Sequence, residues 1–351
     1  MYTLSKASKD TKEILKWGGL FIAGLVMLVL VVRIVIFIKE LVFPTPPPKP
    51  TVAFGKIPPQ AFGQNATGKA LNYFVDTLTG TLPSLPDQTK IYRMQPVRPD
   101  LLAINKFEDK VTSVGFSKGS TPISDKIFEW KSNPNQIGID RRIRVNIVNN
   151  SFTITSAYMS DPNVLAGKNL PSQPAAINIA ERMLESMEML PEDVDLSKTK
   201  TNLFSIRNNS LVTSTSLSNS QIVEVDFIQK DVNKLPIYYQ NPNASSMSIL
   251  IAGGETQPQI VGANYVYQPI SDQSSTYPLK STDEAYEELK KGQAYIASYF
   301  TTSSTISITN VFLAYYIGNQ TQDFLMPIIV FEGNEGFYAY VSAVTDEWIN
   351  K

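Results

Sequence analysis

The 351-residue sequence contains no cysteine and no histidine. Without cysteine there can be no disulfide, no thiolate nucleophile and no Cys-ligated zinc or iron–sulfur centre. Without histidine, the usual proton-transfer base near neutral pH and the commonest metal ligand are both missing. Ser-His-Asp and Cys-His catalysis are therefore excluded, as is zinc chemistry of the usual kind. Charge of one sign is also scarce. The 31 Lys and Arg nearly balance 32 Asp and Glu, for a net charge of −1, and no long basic run exists to neutralise phosphates. That argues against nucleic acid as a partner. Neither a P-loop nor a G-x-G-x-x-G run occurs, and no metal or cofactor is expected.

What is present is apolar and well suited to folding: 43% hydrophobic against 18% charged residues. This much apolar chain argues against wholesale disorder, and the length suggests two or three domains. Residues 18–38 are uncharged except for Arg33, and that length is close to the ~20 residues needed to cross a bilayer. Trp17 sits at the inner boundary. The preceding tail carries Lys6, Lys9, Lys12 and Lys16 against Asp10 and Glu13, so the positive-inside bias places the N-terminus in the cytoplasm. A cleaved signal peptide would have a shorter apolar run and a small-x-small site, whereas LVFPTPPPKP follows here. The segment is expected to stay, as a signal-anchor of a single-pass cell-membrane protein with the bulk of the chain extracytoplasmic. The tail's charges give +2, and Arg33, Lys39 and Glu40 add +1. A chain of −1 then leaves −4, a mildly acidic outer portion. A cysteine-free outer portion fits a bacterial envelope protein whose core needs no staples.

Arg33 lies near the outer end of the span. The favoured account is snorkelling, with the stem in lipid and the guanidinium at the headgroups. The functional account is an ion pair with a carboxylate on a partner's transmembrane helix.

The expected organisation is a cytoplasmic tail over 1–16, the anchor over 17–40, and a stalk over 41–52. Pro44, Pro46, Pro47, Pro48 and Pro50 make that stalk a stiff polyproline spacer. A first α+β lobe follows over 53–168 and a second α+β region over 169–351, split at about 270. Each block has an amphipathic helix followed by short alternating strands. In the first, Pro99 and Asp100 open a helix to about Lys110, and strands follow at 126–130, 142–148 and 151–158. Asn149 and Asn150 form the turn between the last two. In the second, Ser172 caps a helix that Pro191 forbids continuing, and alternating QIVEVDFIQ (221–229) comes later. In the third, S-T-D-E from Ser281 is a capping box and Gly292 ends the helix. A meander then runs over 304–317, 324–331 and 337–344. Pro327 inside the middle strand should fall at an edge or bulge. The fold class is α+β, with helices packed on one face of each sheet.

The ending YPLKSTDEAYEELKKGQAYI (277–296), ISITNVFLAYYI, FLMPIIVFEG and FYAYVSAV resembles the YycH/YycI class of membrane-anchored regulators of bacterial sensor kinases, whose ectodomains contain PepSY-like lobes. FGKIPP (54–59) resembles uncharacterised anchored proteins of small-genome bacteria that share this ending. The resemblance covers about the last 75 residues and is architectural before them. It implies tandem helix-plus-meander lobes. It also implies a non-enzymatic protein that contacts another membrane protein through its transmembrane helix and ectodomain.

The candidates for chemistry are sparse. Ser197-x-x-Lys200 has the spacing of penicillin-recognising enzymes but sits in a polar connector, without the SDN and KTG partners. Asp193 and Asp195, with Glu192, lack the Gly and distal Glu of an EF-hand loop. Glu181, Glu185 and Glu188 line one polar helix stripe, whereas glycosidase carboxylates face each other across a cleft. Solvated surface is the favoured account of all three. In the aromatic last meander, ordinary sheet packing is favoured, and Tyr315, Tyr338 and Tyr340 join Arg33 as candidates for partner contact. The expected function is a non-enzymatic envelope binding or regulatory protein. An envelope hydrolase using carboxylates or Ser-Lys, and an assembly component of a pilus or secretion system, are the alternatives.

Overall fold

The computed structural model describes residues 4–42, 48–96, 100–133, 135 and 138–350. Helix α1 (Leu4–Val42) is a unit by itself, and residues from Pro50 onward form a second compact unit. The helix is longer than the expected anchor: the tail joins it without a break, since nothing from Leu4 to Trp17 is a helix breaker. Its Leu15–Lys39 stretch is long and apolar enough to cross a membrane. Residues 43–47 of the expected stalk, including Pro44, Pro46 and Pro47, lie outside the described residues, as does Pro99.

The second unit is rich in strands. In chain order its elements are β1 (Asn72–Val75), β2 (Gln88–Met94), α2 (Ala103–Ser113), β3 (Thr121–Pro122), β4 (Ile127–Lys131), β5 (Arg141–Asn146), β6 (Phe152–Ser156), α3 (Pro162–Leu165) and α4 (Gln173–Ser186). There follow β7 (Lys200–Arg207), β8 (Ser210–Ser214), β9 (Ile222–Asp226), β10 (Ile237–Tyr239), β11 (Met247–Ala252), β12 (Gln259–Tyr265) and β13 (Ile270–Pro278). Last come α5 (Thr282–Lys290), β14 (Tyr295–Ser298), β15 (Thr305–Ile317), β16 (Phe324–Gly333) and β17 (Tyr338–Ser342). The body is thus a mixed α+β structure.

Two sheets organise it. A nine-stranded antiparallel sheet runs β3-β4-β5-β6-β12-β11-β9-β7-β8. Its inner row, Trp130, Ile143, Ile154, Ala263, Ile249 and Val225, packs against Phe107 and Val111 of α2 and Ala176, Ala180, Met183 and Leu184 of α4. Both of the first two expected helices therefore cover one sheet. Strands from either side of residue 168 share it, because β6 finds its second partner in β12 and not in the sequence beside it. The eight-stranded sheet runs β1-β15-β16-β17-β14, with β10 beside β15, and β2 joining β16 to β13. Strands β1, β2, β10 and β13, all from upstream of the last helix, complete the sheet that the final meander begins.

Local chemistry explains the ends of α5. Ser281 Oγ accepts the Glu284 N–H at 3.2 Å, and Glu284 Oε2 accepts the Ser281 N–H at 2.8 Å, the expected capping box. Gly292 takes φ +71°, a conformation that strains any residue with a Cβ. Pro327 sits in the middle of β16 and not at an edge. On that side β16 pairs with β2 through Phe324 and Leu325, then with β17 from Ile328 onward. Past the end of β17 the Pro327 carbonyl still accepts the Ala343 N–H at 3.1 Å, and the Ala343 carbonyl, which faces the proline nitrogen, takes the Lys280 N–H at 2.8 Å instead, so the missing donor leaves no acceptor unfilled.

Candidate functional site

Of the four residues named as partner contacts, two are inside. Tyr315 and Tyr340 are fully buried, and their hydroxyls donate to the carbonyls of Lys90 (2.6 Å) and Tyr239 (3.3 Å). Burial raises the pKa of both phenols above the usual range. Neither presents surface to a partner. The reason is that the sheet is covered on both faces: α5 packs on the side of Leu313 and Phe331, while Phe62 and Tyr238 cover Tyr316 and Tyr340. Tyr338 does reach the surface. It is half-buried, donates to Glu332 Oε1 at 2.7 Å, and stands beside Tyr238 at 6.2 Å between ring centroids.

Arg33 lies within the apolar stretch of α1. At about 100° per residue, Gly19, Ala23, Val26, Leu30, Arg33 and Phe37 fall on one face. The guanidinium therefore shares its face with the two smallest residues of that stripe.

The outer face of the nine-stranded sheet carries the rest of the polar chemistry. One row crosses seven strands: Glu129, Arg144, Thr153, Asn264, Ser248, Asp226 and Lys200. Arg142 and Arg144 mark one side, both reaching Glu129, at 3.9 Å and 2.8 Å. At the other side Asn202 Nδ2 donates to Glu224 Oε2 at 3.3 Å and to Asp226 Oδ2 at 3.0 Å. Asp226 is fully buried and also accepts the Ser245 N–H at 3.0 Å. Burial, with the Glu224 charge second, pushes the Asp226 carboxyl up from 3.8 to about 7. Glu224 is raised as well, chiefly by burial. The result is a hydroxyl- and amide-rich floor, flanked by cations on one side and by a reluctant pair of acids on the other.

No family model matches the sequence, and no curated protein matches it. Among solved structures, the chain is similar to an uncharacterized protein from Eubacterium rectale ATCC 33656. The two are 13% identical, the TM-score is 0.41, and the match covers 81% of this chain and 92% of that one.

The other sequence candidates are dispersed. Ser197 Oγ donates to Asp195 Oδ1 at 2.6 Å within an exposed turn, and Lys200 begins β7 beside Asp226. Asp193 Oδ2 accepts from Gln229 Nε2 at 2.9 Å, so Asp193 and Asp195 serve different partners. Glu188 pairs with Lys110 at 3.0 Å. Sequence reasoning did not single out Asn202, Glu224 and Asp226 as a group. The alternation of 221–229 does mark Glu224 and Asp226 as outward residues of one strand. The register that brings Asn202 between them is a tertiary fact.

Proposed function

We propose that this chain is a membrane-anchored, extracytoplasmic, non-enzymatic protein that binds and regulates another envelope or membrane protein, in the manner of the YycH/YycI class with PepSY-like lobes. The N-terminus is cytoplasmic and the body lies outside. The observation that carries this reading is Arg33, a permanent cation inside an otherwise apolar span, on the same face as Gly19 and Ala23. Small residues let a second helix approach closely, and a charge in hydrocarbon is stabilised best by an opposite charge. Two copies of this helix side by side would oppose Arg33 to Arg33, so the fitting partner is a different helix that carries a carboxylate. The amide- and hydroxyl-rich sheet face supplies a second surface for that partner's outer portion.

Photo-crosslinking in native membranes from positions on the Arg33 face tests this. A specific partner band is expected with the natural sequence, and its loss with Arg33→Leu. An identical band pattern in the two would leave Arg33 as a snorkelling residue and overturn the in-membrane pair.

A further inference from the structure

Among the described residues the nine-stranded sheet ends in a bare strand, whereas β3, β14, β13 and β1 are each shortened or contacted at the margin. Strand β3 is two residues long and ends in Pro122. Beside β14, Asn65 Oδ1 accepts the Ile296 N–H and Ala66 N–H donates to the Ile296 carbonyl, both at 2.8 Å. Strand β13 is covered by Thr51 and Val52, which exchange hydrogen bonds with Thr276. On β1, Tyr286 donates its hydroxyl to the Tyr73 carbonyl at 3.0 Å. Proteins commonly protect an exposed edge with lysine, proline, a bulge or a covering segment. Among the described residues, strand β8 has none of these. Residues 208–223 carry no charge at all, in a chain that is 18% charged. Val212 is 42% exposed, an apolar side chain at the rim.

The orientation of the free groups follows from the hairpin. Asn208 and Asn209 both take positive φ, at +51° and +56°, as a two-residue turn requires. Arg207 opposite Ser210 is then a hydrogen-bonded pair, and so is Ser205 opposite Val212. The backbone N–H and C=O of Leu211 and Thr213 point the other way, out of the sheet.

We propose that β8 is a self-pairing edge, through which two copies of this chain join antiparallel about Val212 and continue one nine-stranded sheet into the other. The register is self-complementary. Leu211 meets Thr213 of the second copy and Thr213 meets its Leu211, so every outward N–H and C=O of the two residues is used. Val212 then faces Val212 of the second copy across a non-hydrogen-bonded pair, where side chains approach most closely. The uncharged strand brings no like charges together. One strand pair falls short of the roughly 1,000 Å² typical of a stable interface in solution. Confinement to a membrane makes up for this by raising the local concentration of the second copy. That part rests on the anchored reading proposed above, while the edge geometry does not.

The absence of native cysteine makes the test clean. In membranes carrying the full chain, Val212→Cys should give a disulfide-linked dimer under mild oxidation. Ser210→Cys and Ser214→Cys should each fail alone and crosslink when expressed together, because the register places 210 opposite 214. Adding Thr213→Pro to Val212→Cys should abolish the dimer, since it removes an outward N–H and spares the bonds to β7. Thr213→Val, which keeps that N–H, should preserve it. An unchanged melting temperature in the proline variant shows that the hairpin is intact. With the protein found in the membrane fraction, no Val212→Cys dimer, or equal crosslinking from Ser210→Cys alone, overturns the proposal. Protein recovered in the soluble fraction would instead count against the anchored reading, and the same crosslinks on that material would decide the edge pairing separately.

Discussion

Asp226 is where burial and charge conflict most directly. Its carboxyl is fully buried and raised from 3.8 to about 7, so the folded state holds a proton that the unfolded chain releases near pH 4. Stability from this group is therefore complete below about pH 4 and declines as the pH rises through 7. Asp226→Asn should leave stability nearly unchanged at pH 4 and increase it at pH 8. The ceiling is about 4 kcal/mol, at about 1.4 kcal/mol for each of roughly three pKa units. Urea unfolding at the two pH values measures this, and equal gains at both would refute it. The sequence marks Asp226 as polar and outward through its alternation with Val225 and Phe227. Its burial depends on Ser245 and Asn202, which are remote in sequence, so that part was not legible. Tyr315 and Tyr340 show the converse limit. In a strand covered on both faces, alternation no longer separates inside from outside, and β16 is buried at nearly every position.

At the scale of elements, local rules work where the signals are local. The α5 capping box is satisfied in both directions, and Ser281→Ala should cost about 1 kcal/mol. Thermal unfolding of the variant reads this out, and an unchanged midpoint would show that the helix is held by packing alone through Ala285 and Leu289. The meander over 305–342 was also legible, since each turn carries its own residues and the strands pair in sequence order. The pairing of β6 with β12, and of β1 with β15, was not. These contacts join residues more than a hundred positions apart and leave no periodic trace. A proline such as Pro327 is informative only once the partners on its side are known, because its cost depends on whether a donor is wanted there.

For the whole molecule, the notable feature is the way the chain enters and leaves the body. Val52 N–H donates to the Thr276 carbonyl at 3.0 Å on β13. Ile57 N–H donates to the Trp348 carbonyl at 2.9 Å, and Asn350 N–H to the Ile57 carbonyl at 2.8 Å. Trp348 also packs edge-on against Tyr277, and Asp346 pairs at 2.8 Å with Lys280, a largely buried cation. Truncation after Thr345 should therefore cost roughly 3–5 kcal/mol, a fall in Tm of roughly 5–10 °C. It should also open residues 51–57 to protease, and a melting curve like that of the full chain would show the clasp to be dispensable. The same clasp decides how the body bears mechanical load. A pull applied to the body from the N-terminal side of Thr51 would meet the bonds at Val52 and Ile57 first, and divide there between β13 and the turn at Trp348. Such a pull loads that fastening before it loads either sheet.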